Sequence, residues 1–281
     1  MYGKDRYYYE TLKNFQDIVK EQMIKHPQVK EILTDIENKS PTTLNHSVNV
    51  ALHTYEKLNN YKGRFNEDKV KNWTLAALLH DIGKLNTPIE ILHGSNLSDE
   101  QFPIMMAHSM ELENLKIKYD IEKLPQECYI AMRGHHISYE FVENDFVGAI
   151  NSKKTWNKYT DLTKDTQEHF KGMNENDKFA LEMISFYDNI EALRSNERTY
   201  KQAFEWNVIK KIVNECSTIN EKNKYICLNP QFENFLKLDS YLKHFDDFQA
   251  EKISDKIREM IGVKEYSHEH QTMDIQEQER E

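Results

Sequence analysis

The sequence predicts an all-α protein, and three observations support this. Turn-forming residues are scarce, with 8 Gly and 6 Pro in 281 residues. Leu, Lys, Glu and Ile are abundant, a composition that favours helices over a sheet-rich fold. Apolar residues also recur at spacings of three and four through most of the chain, as on the buried face of a helix.

The helical pattern begins at about Asp5 and runs to Asn38, with Phe15, Ile18, Val19, Met23, Val29, Ile32 and Leu33 on its apolar face. His26-Pro27 divides it in two, because the residue before proline is pushed out of the helical region. Ser40-Pro41-Thr42 reads as a turn and a new helix start. The helix that follows carries His46, Val50, Ala51 and Leu58. After Tyr61-Lys62-Gly63-Arg64 comes the segment with Val70, Trp73, Leu75, Ala76, Leu78 and Leu79, apolar on nearly every side and therefore a central, buried helix. It ends at His80-Asp81-Ile82-Gly83-Lys84, where Gly83 is placed to stop it. Two capping boxes are expected next, Thr87-Pro88-Ile89-Glu90 and Ser98-Asp99-Glu100-Gln101, the second opening the helix that holds His108. Pro125 is expected to start a helix ending at Gly134-His135-His136. The stretch from Tyr139 to Asp177 is polar, anchored by Trp156 and Phe170. Beyond it a helix from about Lys178 to Leu193 carries Asp188, and apolar patterns over Ala203–Val213, Phe232–Phe248 and Ile253–Ile261 suggest closing helices. Glu265–Glu281 is charged and expected to be disordered. The domain reading is a helical extension over 1–40, a main domain over 41–264 and a tail over 265–281.

Bulk properties exclude several function classes. A net charge of −10 gives no broad basic surface for bulk nucleic acid, although one local basic pocket for a small phosphorylated ligand is compatible with it. No apolar run approaches the roughly 18–20 residues that span a bilayer. The start, Met1-Tyr2-Gly3-Lys4-Asp5, lacks the apolar stretch of a signal peptide, so the cytoplasm is the expected location. Cys128, Cys216 and Cys227 form no CxxC pair and suit reduced, structural thiols. The long N-terminal helices are open to two uses, packing onto the core or forming a homodimer.

The chemistry centres on histidines and aspartates. A buried charge is costly unless it is paired or bound to metal, and His80-Asp81 ends one of the most apolar segments of the chain. Imidazole and carboxylate suit divalent Mn, Fe, Ni, Co or Zn, and an aspartate, with two oxygens, can bridge two ions. Taken alone, His80-Asp81 could equally be a cap or a packed pair. The adjacent His135-His136 at another helix end, together with His46 and His108 on separate helices, shifts the balance towards metal. His26, His53, His93, His169, His244, His268 and His270 read as ordinary packed or solvated histidines.

The order H…HD…H…HH…D resembles the HD superfamily of metal-dependent phosphohydrolases. It is most similar to the HD-GYP branch, the bacterial cyclic-dinucleotide phosphodiesterases. Leu78-Leu79-His80-Asp81-Ile82-Gly83-Lys84 matches the branch's HDIGK. Pro88-Ile89-Glu90-Ile91-Leu92, Leu97-Ser98-Asp99-Glu100 and His108 continue the match in order. Tyr187-Asp188-Asn189-Ile190-Glu191-Ala192-Leu193 resembles its D-x-x-D-A-L segment, and Arg198-Thr199-Tyr200-Lys201 its R-x-Y-[RK] tail. The resemblance covers roughly His46 to Ala203 and implies an HD-domain helical bundle with extra N-terminal helices. It also implies a centre of two divalent ions: His46, His80, Asp81 and Asp188 would hold one, and Asp81 would bridge to a second held by His108, His135 and His136. Lys84, Arg198 and Lys201 would face the phosphates of a small phosphorylated nucleotide. Asp81 and Lys84 are the catalytic candidates, with a water acidified between the two ions attacking phosphorus in line.

Two departures bear on substrate. The family's HHE-x-x-D-G-x-G-Y-P becomes His135-His136-Ile137-Ser138-Tyr139, without the glycines or the GYP loop, and a polar insertion lies around Asn151–Asn176. Thr42 stands where some members carry a glutamate supporting a third metal, so two ions are expected. Three functions remain open: a cyclic-dinucleotide phosphodiesterase, an HD phosphohydrolase acting on a nucleotide or another phosphate monoester, and a non-catalytic nucleotide- or partner-binding module.

Overall fold

The computed structural model describes residues 3–61, 63–94, 97–98, 100–136, 172–194, 204–205, 207–209 and 250–263. Outside them lie the expectations for Trp156 and Phe170, most of the insertion (all but 172–176), the departing loop after His136, most of Ala203–Val213, all of Phe232–Phe248, Cys216, Cys227 and the tail. Within the described residues the regular elements are all helical. None of these helices is long and apolar enough to cross a membrane.

The first helix, α1 (Gly3–Lys25), gives way to α2 (Gln28–Lys39) at Pro27, as the His26-Pro27 pair predicts. The His26 N–H still donates to the Gln22 carbonyl at 2.8 Å, but proline has no N–H to continue the ladder. Ser40 serves two helices. Its N–H donates to the Ile36 carbonyl at 2.7 Å and closes α2. Its hydroxyl accepts from the Thr43 N–H at 3.3 Å and opens α3 (Pro41–Asn60), with Pro41 in the first turn, where no N–H is needed.

Helix α3 occupies the middle of the bundle. From Thr43 to Leu58 almost every residue is buried, because α2 and three later helices, α4 (Glu67–Leu79), α9 (Glu175–Arg194) and α10 (Ala250–Ile261), all pack on it. The sequence marks α4 (Glu67–Leu79) as the central helix, and α4 is indeed buried from Val70 and Trp73 to Leu79. The structure places α3 deeper still. Its polar residues His46, Ser47, Asn49, His53 and Thr54 mask this in the sequence, yet all five are buried. Asn66 caps α4 by accepting from the Lys69 N–H at 2.8 Å.

Two sequence expectations are corrected after α4. Gly83 does not terminate the helix: α4 already ends at Leu79, and Gly83 lies inside a 3-10 turn, Ile82–Asn86. The residue is small because the His108 backbone crosses it, so that a Cβ there would sit 1.7 Å from the His108 carbonyl oxygen. The capping box at Thr87 does not form either. Thr87 ends the 3-10 turn, and the one-turn helix α5 (Ile89–Leu92) starts after Pro88 with no side-chain cap. The second box does form. Ser98 Oγ accepts from the Gln101 N–H at 3.3 Å while Gln101 Oε1 accepts from the Ser98 N–H at 3.0 Å, just ahead of α6 (Gln101–Met106). His108 follows α6 in a 3-10 turn, Ala107–Ser109.

The remaining described helices are α7 (Glu113–Lys118), α8 (Gln126–Gly134), α9 (Glu175–Arg194) and α10 (Ala250–Ile261). Helix α8 starts after Pro125, as expected, and has His135 as its C-terminal cap. Helix α1 packs on α2, α3, α4 and α10, so the N-terminal helices lie on the bundle. A buried arginine ties α10 in place: Arg258 Nε donates to Glu37 Oε1 of α2 at 2.8 Å, and Nη2 to Asn45 Oδ1 of α3 at 2.8 Å. Both partners of this ion pair are almost fully shielded from water.

Removing one member of a buried ion pair strands the other, at a cost of about 3–5 kcal/mol. Arg258→Met is therefore expected to lower the unfolding free energy by about that amount in urea titrations; a loss within the noise would mean α10 docks by apolar contact alone. Gly83→Ala is expected to cost about 1–3 kcal/mol or more through overpacking against the His108 backbone, measured the same way.

Candidate metal centre

Five helical elements each deliver one or two polar side chains to a single point in the core. Helix α3 supplies His46, the end of α4 supplies His80 and Asp81, and the 3-10 turn after α6 supplies His108. The end of α8 supplies His135 and His136, and α9 supplies Asp188. All except His136 are buried, and His136 is nearly so. The close approach at Gly83 is what brings the His108 turn against the His80-Asp81 corner.

Asp81 lies between two groups of ligand atoms. Its Oδ2 is 3.4 Å from His80 Nε2 and 3.5 Å from His46 Nε2. Its Oδ1 is 3.1 Å from His108 Nε2 and 3.8 Å from His135 Nε2. Asp188 closes the first group, with Oδ1 at 2.9 Å from His46 Nε2 and 3.9 Å from His80 Nε2. His136 closes the second, with Nε2 at 3.2 Å from His108 Nε2. The sets His46, His80, Asp188 and His108, His135, His136 each bring their ligand atoms within 4.8 Å of one another, close enough to hold a metal ion. The structure thus brings together all seven residues selected from the sequence.

The backbone fixes which nitrogen of three of these rings faces inward. His80 Nδ1 lies 2.7 Å from the Ala77 carbonyl, His108 Nδ1 2.6 Å from Met105, and His135 Nδ1 2.8 Å from Ala131. A carbonyl can only accept, so each Nδ1 carries a proton and each ring turns its Nε2 towards the centre, where it offers a lone pair once the ring is neutral. His108 Nε2 and His135 Nε2 then meet at 3.1 Å as two acceptors, which cannot satisfy each other. His80 Nε2 and Asp81 Oδ1 are likewise buried without a hydrogen-bond partner. Converging lone pairs of this kind fit a cation, and the mixed nitrogen and oxygen donor set suits divalent first-row metals.

The electrostatics point the same way. Burial raises the Asp81 carboxyl, but Lys84 and His80 outweigh it and hold the group well below the usual range. Asp188 is also held well down, by His46 and His80 against the effect of burial. Burial would lower His80, yet the two carboxylates push it up to about 10. Burial drives His136 down to about 3, and His135 well below its ordinary value. Two ionised carboxylates, the neutral His135 and His136 rings and a His80 whose Nε2 proton a metal ion would displace form a desolvated seat for positive charge.

Lys84 Nζ sits 2.5 Å from Asp81 Oδ2 on the rim of this seat. Arg198 and Lys201 lie outside the described residues. Of the histidines read as background, His53 is buried against the Tyr187 ring and His93 is exposed, both away from the metal-binding sets. His169, His244, His268 and His270 lie outside the described residues. Three supporting side chains were not singled out from the sequence: Ser185, whose Oγ donates to the His135 carbonyl at 2.6 Å, and Asn49, whose Nδ2 donates to Glu191 Oε1 at 2.7 Å. Glu191 does stand at the second acidic position of the D-x-x-D-A-L resemblance, but serine and asparagine are common on helix surfaces, and nothing in the spacing of Ser185 and Asn49 sets them apart.

The HD domain family model matches residues 43–149. That segment contains His46, His80, Asp81, His108, His135 and His136, while Asp188 comes from farther along the chain and enters the centre through α9. The match supports a metal-dependent phosphohydrolase with an HD domain. No curated protein matches the sequence.

Saturating a site with metal about 100-fold above its Kd stabilises the folded state by about 2.7 kcal/mol. Mn²⁺ is expected to raise the melting temperature of the wild-type protein and to leave Asp81→Ala nearly unmoved. Elemental analysis after reconstitution should show the same contrast for His80→Ala. Equal metal uptake by wild type and both variants would remove the centre from consideration.

Proposed function

We propose that this protein is a divalent-metal-dependent phosphodiesterase that hydrolyses a cyclic dinucleotide, cyclic di-GMP or a relative. The observation that carries the reading is the seat around Asp81, whose two oxygens face two separate groups of ligand atoms. His46, His80 and Asp188 would hold one ion and His108, His135 and His136 the other, with Asp81 shared. Ions held there would supply Lewis acidity towards a phosphoryl oxygen and acidify water near neutral pH.

The chain's own residues do the rest. The Nδ1 bonds to Ala77, Met105 and Ala131 hold the rings in one orientation, so little reorganisation is needed on binding. Lys84, a formal cation on the rim paired with Asp81, would face a substrate phosphate and offset charge on its non-bridging oxygens. Arg198 and Lys201 would take further phosphate contacts. The ordered motifs from His46 to Lys201 support the cyclic-dinucleotide assignment. One observation favours a second reading, hydrolysis of a nucleotide or other phosphate monoester: Ile137 and the residues after it lack the family's acidic and glycine-rich loop.

The test is a substrate panel on metal-loaded protein: cyclic dinucleotides, 2′,3′- and 3′,5′-cyclic mononucleotides and nucleoside monophosphates. Turnover of cyclic dinucleotides to linear dinucleotide or mononucleotides is expected, and Asp81→Ala should abolish it. Lys84→Ala should reduce kcat by about 10²–10³, the usual loss when one charge-stabilising donor is removed. Turnover of monophosphates alone would select the second reading, and no turnover with metal bound would point to a binding module.

A further inference from the structure

Helix α9 presents three polar residues, each one turn after the last. Ser185 Oγ donates to the carbonyl of His135 at 2.6 Å. Asp188 Oδ1 lies 2.9 Å from His46 Nε2. Glu191 Oε1 accepts from Asn49 Nδ2 at 2.7 Å. Residues at i, i+3 and i+6 fall along one side of a helix. The middle contact belongs to the metal centre, and the outer two bracket it.

We propose that Ser185 and the Asn49–Glu191 pair are positioning residues that set the two halves of the centre in register. This rests on reading His46, His135 and Asp188 as metal ligands. Asn49 lies one turn beyond His46 on α3, and Glu191 one turn beyond Asp188 on α9. Their hydrogen bond therefore fixes how α3 and α9 meet at the ligand pair. Asn49 is buried and Glu191 half-buried, so the bond is partly shielded from water. Ser185 acts on the other half. The His135 carbonyl is one of the last of α8, which a helix leaves without an intrahelical partner, and Ser185 fastens it to α9. His135 and the adjacent His136 are thereby held towards His108.

Neither Ser185 nor Asn49–Glu191 reaches the centre itself, so their removal should weaken metal binding without abolishing it. Loss of an outer-shell partner typically costs about 10–100-fold in metal affinity. Isothermal titration of the full chain with Mn²⁺ is expected to show that loss for Asn49→Ala, Glu191→Ala and Ser185→Ala, with circular dichroism melting of the metal-free forms confirming that each is folded. Because Asn49 and Glu191 share a bond, the loss in their double variant should fall short of the sum of the two single losses, whereas Glu191→Ala with Ser185→Ala should be close to additive. Glu191→Gln keeps an acceptor and should restore most of the affinity.

Wild-type affinity in all three single variants overturns the inference, as does Glu191→Gln binding as poorly as Glu191→Ala. Additivity of Asn49→Ala with Glu191→Ala overturns the pairing. Failure of the wild-type protein to take up metal overturns the reading of the centre and this inference together. Metal uptake by wild type that is unchanged in the variants overturns the inference alone.

Discussion

The rest of the structure is organised around a carboxylate, Asp81, held in the core with imidazole nitrogens facing both of its oxygens. A buried, ionised carboxyl is unfavourable unless positive charge or donors surround it. Here the surroundings come from elements far apart in the chain: the His108 turn, the α8 end, and the α3–α9 contact between His46 and Asp188, which are 142 residues apart. Bringing them together requires α3 in the middle of the bundle and α4 ending at the centre. The polar face of α3 and the apolar run of α4 both serve that end.

The same requirement accounts for details that look unrelated. Gly83 is small because the His108 backbone must lie against the corner that Asp81 occupies. Three ring Nδ1 atoms spend their proton on helix-end carbonyls, which leaves the Nε2 lone pairs aimed inward. These carbonyls belong to last turns, where intrahelical donors run short; that of Ala131 also accepts the His135 N–H at 3.1 Å. Helix ends are therefore suited to presenting oriented imidazoles, and the ligands cluster at such ends. The network is rigid as well as polar, and a rigid seat needs little rearrangement to receive a cation.

Charge is distributed to match. The chain is acidic overall, and the centre is locally negative, with Asp81 and Asp188 ionised in a desolvated site. Such a seat attracts cations and, left empty, would repel a phosphate. Lys84, on the rim, supplies compensating charge from the chain itself. Phosphate recognition therefore depends on the ions as well as on Lys84, and metal binding and substrate binding are coupled.

Much of this was legible in the sequence by itself. The helical periodicity, the break at Pro27, the helix start at Ser40-Pro41 and the start of α8 at Pro125 are local matters, set by dihedral limits and capping. His80-Asp81 stood out because it ends an apolar segment, where unpaired charge is costly, and His135-His136, His46 and His108 added weight to it; Asp188 entered the set only through the family resemblance. Other features depended on tertiary contact. Gly83 read as a helix stop because a glycine after a helix usually is one, and only the packed His108 backbone showed its actual role. Thr87 matched a capping pattern, but the 3-10 turn had already used its backbone. Helix α3 did not read as the central helix because it buries polar residues, two of which, His46 and Asn49, meet side chains far away in the chain. For the same reason Ser185 and Asn49 carried no signal, and Glu191 showed only as a motif position. The sequence determined which residues had reason to seek a cation, since burial cost and ligand chemistry are properties of residue and segment. Only the tertiary structure decided how the two oxygens of Asp81 were shared and which side chains hold the halves in register, because those are distances between elements that the chain brings together only on folding.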